Sequence, residues 1–241
     1  MDGILIIDKP AGITSHDVVV RCRRILQTKR IGHTGTLDPF ATGVMVILVG
    51  KATRLAQFLD KDAKEYEAVV RLGFETDTGD RTGSPNSKFQ IPNSKFQIPN
   101  SEIQIPILVS VEDIEKALTD FRGEIMQTPP MYSAKKVEGK KLYELARKGI
   151  EIKRKPVSVK IYKLRMTNDE IREKTDDFEP WTLDFGLKVL CSAGTYIRTL
   201  AEDIGRKLET GAHLAELRRT KAGKFAIENA VTLEQLEKIA D

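Results

Sequence analysis

The sequence has few of the residue types that mark secreted, metal-binding or membrane proteins. Only two cysteines, Cys22 and Cys191, and three histidines occur among 241 residues. Two cysteines cannot build a disulfide framework, and they suit a reducing cytoplasm. No apolar run approaches the roughly 20 residues that span a bilayer, and the first residues lack the basic and apolar regions of a signal peptide. We therefore expect a cytoplasmic protein without a leader or a membrane span.

Several motifs that carry well-known chemistry are also missing. The sequence contains no His-Glu-x-x-His zinc motif, no Gly-x-Ser-x-Gly nucleophile elbow and no Gly-x-x-x-x-Gly-Lys-Ser/Thr phosphate-binding loop. The three histidines, His16, His33 and His213, stand far apart in the sequence. Metal-dependent hydrolysis and nucleotide-cofactor chemistry are disfavoured, and we expect neither a metal nor a cofactor.

What is present is a 40% apolar chain with a mild excess of positive charge. Such a chain buries a sizeable core, and its length predicts a single domain over residues 1–241. The 39 basic and 35 acidic residues are unevenly placed, since ten basic and three acidic residues lie between Lys135 and Lys160. Tyr132 and Tyr143 lie beside or within this run, and aromatic rings among cations suit a nucleic acid. A solvated lysine-rich face is the plainer interpretation.

A seven-residue unit is repeated three times between residues 86 and 106, as NSKFQIP, NSKFQIP and NSEIQIP. A proline in every unit excludes a continuous helix, and the unit is too short for a solenoid repeat. We interpret residues 85–107 as an extended or flexible insertion, with a short β-ribbon or a contact surface as the alternative.

Hydrophobic periodicity on either side of the insertion predicts a mixture of helices and strands. The predicted strands cover residues 3–7, 44–49, 65–72, 158–166, 183–191 and 212–218. The predicted helices cover residues 15–26, 52–59, 111–121, 142–147, 195–208 and 233–240, and residues 28–42 are predicted as a loop. Because strands and helices do not alternate regularly, we expect an α+β fold on a mixed, largely antiparallel sheet with flanking helices.

The loop segment GHTGTLDP, residues 32–39, concentrates unusual residues. Its two glycines allow close backbone approach, and the proline after Asp38 restrains that residue to an extended conformation. Such a loop projects one carboxylate and one imidazole rigidly. An ordinary turn with His33 on the surface is the alternative that composition alone favours.

Blocks of the sequence closely resemble the TruB family of tRNA pseudouridine synthases. The similar segments are GILIIDKPAGITS at 3–15, GHTGTLDPFATG at 32–43, KEY at 64–66, TDTGD at 76–80, PPMYSAKKVEGKKLYELARKG at 129–149, CSAGTYIRTLAEDIG at 191–205 and GAHLAELRRT at 211–220. Residues 32–43 are similar to the family's catalytic loop and residues 129–149 to its RNA-clamping thumb, and we use these two names below. The resemblance implies a pseudouridine-synthase-like catalytic domain with a thumb loop.

The resemblance also implies an activity, which is isomerisation of the uridine at position 55 in the T loop of tRNA. This reaction moves the bond to the ribose from N1 of uracil to C5, so it needs no cofactor. Asp38 is the implied catalytic carboxylate, Arg198 its implied partner and Tyr66 the residue that stacks on the flipped uracil. Without the resemblance, Arg198 would be interpreted as a structural ion pair and Tyr66 as a core residue.

The same resemblance assigns residues that bind the RNA. His33, Tyr66, Tyr196 and Leu217 are implied contacts of the target nucleotide or its vacated stack. The implied RNA-binding residues are Lys9, Lys64, Tyr132, Lys135, Lys136, Lys140 and Lys141. We expect the partner to be the T stem-loop of tRNA, the protein to be a monomer and no protein partner to be required.

Two departures from the family pattern bear on these expectations. Only about twenty residues follow Thr220, so we expect the C-terminal, PUA-like RNA-binding domain that bacterial relatives carry to be absent. The repeat follows directly after the TDTGD block. The alternatives are a guide-dependent synthase of the dyskerin type and a non-catalytic RNA-binding or tRNA-folding protein.

Overall fold

The computed structural model describes residues 1–86, 109–137, 139–167, 172–174 and 182–240. Apart from Asn86, the repeat lies outside the described residues, so the interpretation of that segment stays a prediction. Within the described residues, no helix is long and apolar enough to cross a bilayer.

Twelve strands and six α-helices are defined in the described parts of the chain. The strands are β1 Gly3–Lys9, β2 Ile31–His33, β3 Thr42–Val49, β4 Lys64–Leu72, β5 Gly123–Gln127, β6 Lys136–Val137, β7 Lys140–Lys141, β8 Val157–Met166, β9 Arg172–Lys174, β10 Thr182–Cys191, β11 Ala212–Ala222 and β12 Phe225–Ala226. The α-helices are α1 Ser15–Ile25, α2 Ala56–Leu59, α3 Val111–Thr119, α4 Leu142–Ala146, α5 Ile197–Lys207 and α6 Leu233–Ala240, and two 3-10 helices cover Gly50–Leu55 and Ile227–Asn229.

The chain divides into two compact units, each made of several segments. The first unit contains Met1–Glu67, Leu190–Ala193 and Leu217–Asp241, and the second contains Ala68–Val189 and Gly194–Glu216. The length predicts that residues 1–241 form a single domain, and this stays a prediction.

The first unit is built on the buried strand β3, whose last seven residues are all buried. β1 pairs antiparallel with β3 along its whole length, from Gly3 opposite Val49 to Lys9 opposite Gly43. β2 pairs with the end of β3 through three residues, and β11 pairs with its start in parallel. Helix α1 begins with a capping box, in which Thr14 and Asp17 satisfy each other's backbone N–H groups.

The second unit is a sheet in which β4, β10, β8 and β5 are neighbours in that order. β5 and β8 are antiparallel, with Gly123 opposite Ile161, and β9 pairs antiparallel with β10. Helix α3 begins with a second capping box, formed by Ser110 and Asp113. In the thumb, two short strands, β6 and β7, pair antiparallel and lead into helix α4.

The predicted α+β class with a largely antiparallel sheet is confirmed. Residues 28–42 do not form one loop, because Ile31 pairs with Val49 and starts a short strand inside a segment that has no strand periodicity. The predicted helix at 52–59 is divided into a 3-10 helix and the four-residue α2. β11 runs four residues beyond its predicted end at Arg218, and β5 is missing from the prediction.

Candidate active site

The catalytic loop leaves β2 at His33 and enters β3 at Thr42. Asp38 lies in the middle of this loop and is half-buried, and its carbonyl accepts a hydrogen bond from Ala41 N–H at 3.1 Å. The imidazole of His33 folds back on the loop, since Nδ1 accepts from Gly35 N–H at 3.3 Å. Burial, and then the charge of Arg219, lower the pKa of His33, so the imidazole is neutral at pH 7. Half-burial of His33 differs from the surface position that composition favoured.

The residue before Asp38 is fixed by a side chain from helix α1. Ser15 Oγ accepts from the Leu37 N–H at 2.8 Å and donates to the Leu37 carbonyl at 2.9 Å. Ser15 and Leu37 are only 3% and 4% exposed. A buried hydroxyl that satisfies both backbone groups of one residue restrains that residue strongly, because each group would otherwise be left without a partner.

The residues after Asp38 are fixed by Lys9 at the end of β1. Lys9 is fully buried, and Nζ donates to the carbonyls of Pro10 at 2.9 Å, Pro39 at 3.1 Å and Ala41 at 2.6 Å. Burial lowers the pKa of Lys9 to about 8, and the nearby Asp38 carboxylate partly offsets this effect. The predicted contact of Lys9 with an RNA phosphate would require the ammonium group to leave these three carbonyls.

Both ends of the catalytic loop meet the side chain of Arg219 from β11. Its Nε donates to Val44 O at 2.7 Å, Nη2 to Gly35 O at 3.2 Å and Nη1 to Thr36 O at 3.5 Å. Arg219 is 2% exposed. Its backbone lies opposite Gly43, where a Cβ atom would overlap the Arg219 carbonyl and where φ is +102°. A glycine is therefore required at the junction between the loop and β3.

Tyr66 lies on the part of β4 that belongs to the first unit, and it is 8% exposed. The strand alternates buried and more exposed residues, which confirms the predicted half-buried strand. Burial raises the pKa of the Tyr66 hydroxyl, and the charge of Arg219 partly offsets this effect. Asp38 also acts on Tyr66 electrostatically, so both predicted residues belong to one electrostatic neighbourhood.

Two further predicted residues of the first unit are buried. Lys64 is 6% exposed, and its Nζ donates to the carbonyls of Asp60 and Asp62, both at 2.5 Å. Burial and the charge of Arg219 lower the pKa of Lys64. Leu217 is 8% exposed. This burial fits a core leucine and a leucine that lines a pocket equally well, so its predicted role at the base stays a prediction. Like Lys9, Lys64 stabilises backbone carbonyls in this structure.

In the second unit Arg198 joins two backbone segments. It is 4% exposed, and its guanidinium donates to Thr78 O and to Tyr132 O, both at 2.7 Å. Its Nε lies 3.9 Å from Asp80 Oδ2. Arg198 and Asp38 belong to different units, and their predicted pairing stays a prediction.

Tyr196 is the N-cap residue of α5, and a buried amide holds its backbone. Gln127, which is fully buried, accepts from Tyr196 N–H at 3.0 Å and donates to Tyr196 O at 3.2 Å. This pair of hydrogen bonds orients the start of the helix that carries Arg198. The ring of Tyr196 is half-buried.

The predicted thumb cations lie on a lightly structured segment of the second unit. Lys136 and Lys140 are exposed, while Lys135 and Lys141 are partly buried. Lys141 Nζ lies 5.4 Å from the centre of the Tyr143 ring, and Arg147 lies 5.3 Å from it. An aromatic ring between two cations offers stacking and charge together, which suits RNA.

Three residues that fix the catalytic loop were not recognised from the sequence in this role. Lys9 was assigned to phosphate, and Ser15 and Arg219 were not assigned a role in the site. Alternation along β11 could have placed one of Arg218 and Arg219 inward, but the pattern does not say which. The other arginine, Arg218, pairs instead with Asp8 at 2.7 Å and is 40% exposed in its side chain.

The loop, its buried donors and the adjacent tyrosine define an enzyme site built on a pseudouridine-synthase fold. Family models match nearly the whole chain. The model described as TruB family pseudouridylate synthase (N terminal domain) covers residues 23–197, and the one described as tRNA pseudouridylate synthase B C-terminal domain covers residues 198–241. The chain belongs to the TruB family of pseudouridylate synthases.

Curated relatives carry the name tRNA pseudouridine synthase B. The protein of Solibacter usitatus is 45% identical over 100% of this chain and 73% of its own length. That of Geobacillus kaustophilus is also 45% identical and is covered over 78% of its length, and that of Opitutus terrae is 43% identical and covered over 88%. The alignments span almost the entire chain, but the relatives are longer proteins.

Solved structures of similar fold come from Cbf5 complexes. A Cbf5-Nop10-Gar1 complex contains a chain that matches with a TM-score of 0.65 and 31% identity, over 98% of this chain and 54% of that one. The archaeal box H/ACA sRNP Nop10-Cbf5 complex matches with a TM-score of 0.63 and 29% identity, over 99% of this chain and 53% of that one. This chain thus spans about half the length of those proteins.

Proposed function

We propose that this protein converts the uridine at position 55 in the T loop of tRNA to pseudouridine. Family membership and relatives named tRNA pseudouridine synthase B support the activity and the substrate class. The observation that carries the proposal is a half-buried carboxylate, Asp38, on a loop whose backbone is held on both sides by the buried side chains of Ser15 and Lys9. Catalytic groups must be held within a fraction of an ångström, and such a loop meets that requirement.

The reaction is an intramolecular transfer of uracil. The bond between C1′ and N1 breaks, the base turns over, and a bond forms between C1′ and C5. The proton at C5 leaves and N1 gains a proton, so atoms and charge balance without a co-reactant. Asp38 is the carboxylate that acts on the ribose or the base in this transfer.

The neighbouring residues have roles that their surroundings suit. Tyr66 stacks on the flipped uracil and takes part in the departure of the C5 proton, the role that the resemblance to the family implies. His33, neutral at pH 7, occupies the stack that the uridine leaves. Arg198 orients Asp38, and Tyr196 and Leu217 line the base pocket. The thumb lysines Lys135, Lys136, Lys140 and Lys141, with Tyr132, bind the RNA backbone.

Release of tritium from C5-labelled uridine in a T-stem-loop transcript tests the activity. Wild-type protein should release tritium without any added protein or guide RNA. Asp38→Asn should lower the rate on the order of 1000-fold or more and leave the affinity for RNA within about threefold, because the carboxylate acts on the reaction and not on the phosphates.

Asp60→Asn is the matched control, because Asp60 is an exposed carboxylate of the same unit. It should retain the wild-type rate. Tritium release that Asp38→Asn does not reduce would contradict the role of Asp38. No release from wild type, under conditions in which a known synthase is active, would contradict the enzyme itself.

A guide-dependent synthase is the second candidate, and the similarity to chains from Cbf5 complexes is the observation that favours it. Activity on a transcript without partners would exclude it, whereas activity that appears only with a guide RNA and protein partners would support it. We also propose a cytoplasmic monomer without an obligate protein partner. The buried thiols Cys22 and Cys191 support a reducing compartment.

A further inference from the structure

We propose that Arg219 is a positioning residue that holds the catalytic loop in one fixed arrangement beside Tyr66. The inference rests on the proposed function, since it concerns the geometry around Asp38. It is carried by the hydrogen bonds of one buried guanidinium group to the backbone at both ends of the loop.

The burial of Arg219 excludes a direct contact with RNA. The residue is 2% exposed, and its three nitrogens all donate to main-chain carbonyls of the loop or of β3. A guanidinium group that recognised phosphate would keep exposed N–H groups for it. The charge of Arg219 therefore acts inside the protein.

The contacts place Arg219 at both ends of the segment that carries Asp38. Gly35 and Thr36 precede the aspartate by three and two residues, and Val44 lies at the start of the buried part of β3. A single rigid group thus fixes where the loop leaves and where it returns. The required glycine at position 43 brings the backbone of the loop directly against that of Arg219.

The charge of Arg219 also acts on Tyr66, which lies on another strand. It lowers the pKa of the Tyr66 hydroxyl, against the larger effect of burial, so the group that holds the loop lies in the electrostatic surroundings of the tyrosine. Lysine would not replace this arrangement, because an ammonium group is one point, whereas the planar guanidinium donates in several fixed directions. Displacement of a catalytic group by about 1 Å lowers rates on the order of 100-fold.

Arg219→Lys tests the proposal, with Arg218→Lys as the matched control. Both variants keep the charge, and Arg218 neighbours Arg219 on β11 but is 40% exposed in its side chain and pairs with Asp8. Arg218 meets the loop at the Thr42 hydroxyl, at 3.3 Å, and not at the backbone carbonyls that Arg219 holds. We expect Arg219→Lys to lower kcat on the order of 10- to 100-fold with KM within about threefold. Arg218→Lys should keep kcat within about threefold of wild type.

A second readout separates positioning from general packing. The Cζ resonance of Tyr66, in protein labelled with 13C at that atom of tyrosine and assigned with Tyr66→Phe, reports the electrostatic surroundings of the hydroxyl, to which the charge of Arg219 contributes. It should shift in Arg219→Lys and stay in place in Arg218→Lys. An unchanged Tyr66 resonance, or an equal loss of kcat in both variants, would overturn the proposal.

The wild-type protein provides a readout that requires neither a folded variant nor an active enzyme. The guanidinium protons of Arg219 should exchange with solvent much more slowly than those of Arg218 and should show nuclear Overhauser effects to protons of Gly35 and Thr36 in the loop. Exchange as fast as that of Arg218 would overturn the proposal. If the wild type releases no tritium, the proposed function fails, while this measurement still decides whether Arg219 holds the loop.

Discussion

The catalytic loop and the thumb are both rich in polar residues, but they hold these residues in opposite ways. In the loop, the fully buried Lys9 and the 2% exposed Arg219 donate to backbone carbonyls. In the thumb, Lys136 and Lys140 are exposed on strands of two residues each. The cations at the loop bind backbone carbonyls and hold the loop in place, whereas the exposed cations of the thumb face solvent. Positive charge in this sequence therefore indicates two functions, and burial distinguishes them.

Removing the thumb charges should produce the largest effect on RNA binding. Replacement of Lys135, Lys136, Lys140 and Lys141 by glutamine should weaken binding of a T-stem-loop on the order of 10- to 100-fold and reduce the salt slope of log Kd by about three. Fluorescence anisotropy between about 50 and 200 mM salt measures both quantities. The rate at saturating RNA should change little, because the proposed role of these side chains is to bind the RNA backbone and not to act in the reaction.

Four exposed lysines elsewhere provide the matched control. They are Lys51, Lys61, Lys116 and Lys238. Their replacement by glutamine makes the same change in net charge and should leave the salt slope nearly unchanged. Equal weakening in both variants would indicate a general charge effect and would remove the contrast between the thumb and other surfaces.

Loss of the hydroxyl that fixes Leu37 should produce an intermediate effect, on stability. Ser15→Ala removes the hydroxyl that accepts the hydrogen bond of the Leu37 N–H. Because Leu37 is only 4% exposed, this N–H is left buried without a partner, at a cost of about 1–3 kcal/mol. Urea unfolding followed by circular dichroism measures this cost. Thr36→Ala, an exposed change in the same loop, should cost no more than about 0.5 kcal/mol. Similar values for the two variants would show that the loop does not depend on Ser15.

The smallest effect should be the pH dependence that Lys9 contributes. Its pKa is about 8 in the folded protein and 10.5 in the unfolded chain, so the unfolded chain binds more protons between these values. Stability from this group therefore rises with pH across that window. Relative to Lys9→Met, the wild-type free energy of unfolding should gain roughly 1–2 kcal/mol between about pH 8 and 9.5. A difference that stays flat or falls would show that Lys9 keeps an ordinary pKa.

Local pattern was sufficient for much of the fold. Alternation predicted β4, and a polar residue before an apolar stripe predicted the start of α1, because both depend on neighbours in the sequence. β2 and β5 were not predicted, because pairing with β3 and β8 respectively defines them. A three-residue strand has too few side chains to show a period.

Part of the candidate site was likewise predictable from the sequence, and part depends on tertiary contacts. Asp38 and Tyr66 were recognised because their surroundings in the sequence match the family blocks. Lys9 and Lys64 were assigned to RNA because they stand in blocks that resemble the family. The structure places both against carbonyls, and no property of the neighbouring residues in sequence predicts that burial.

The sequence by itself determined the family, the strands and helices with clear periodicity, and the residues that carry the proposed chemistry. The tertiary structure decided which polar residues hold the site together. Arg218 and Arg219 are adjacent and chemically identical, but the pairing of β11 with β3 turns one toward the loop and leaves the other with Asp8. Successive residues of a strand face opposite sides, and only the register with a neighbouring strand fixes which side is the interior.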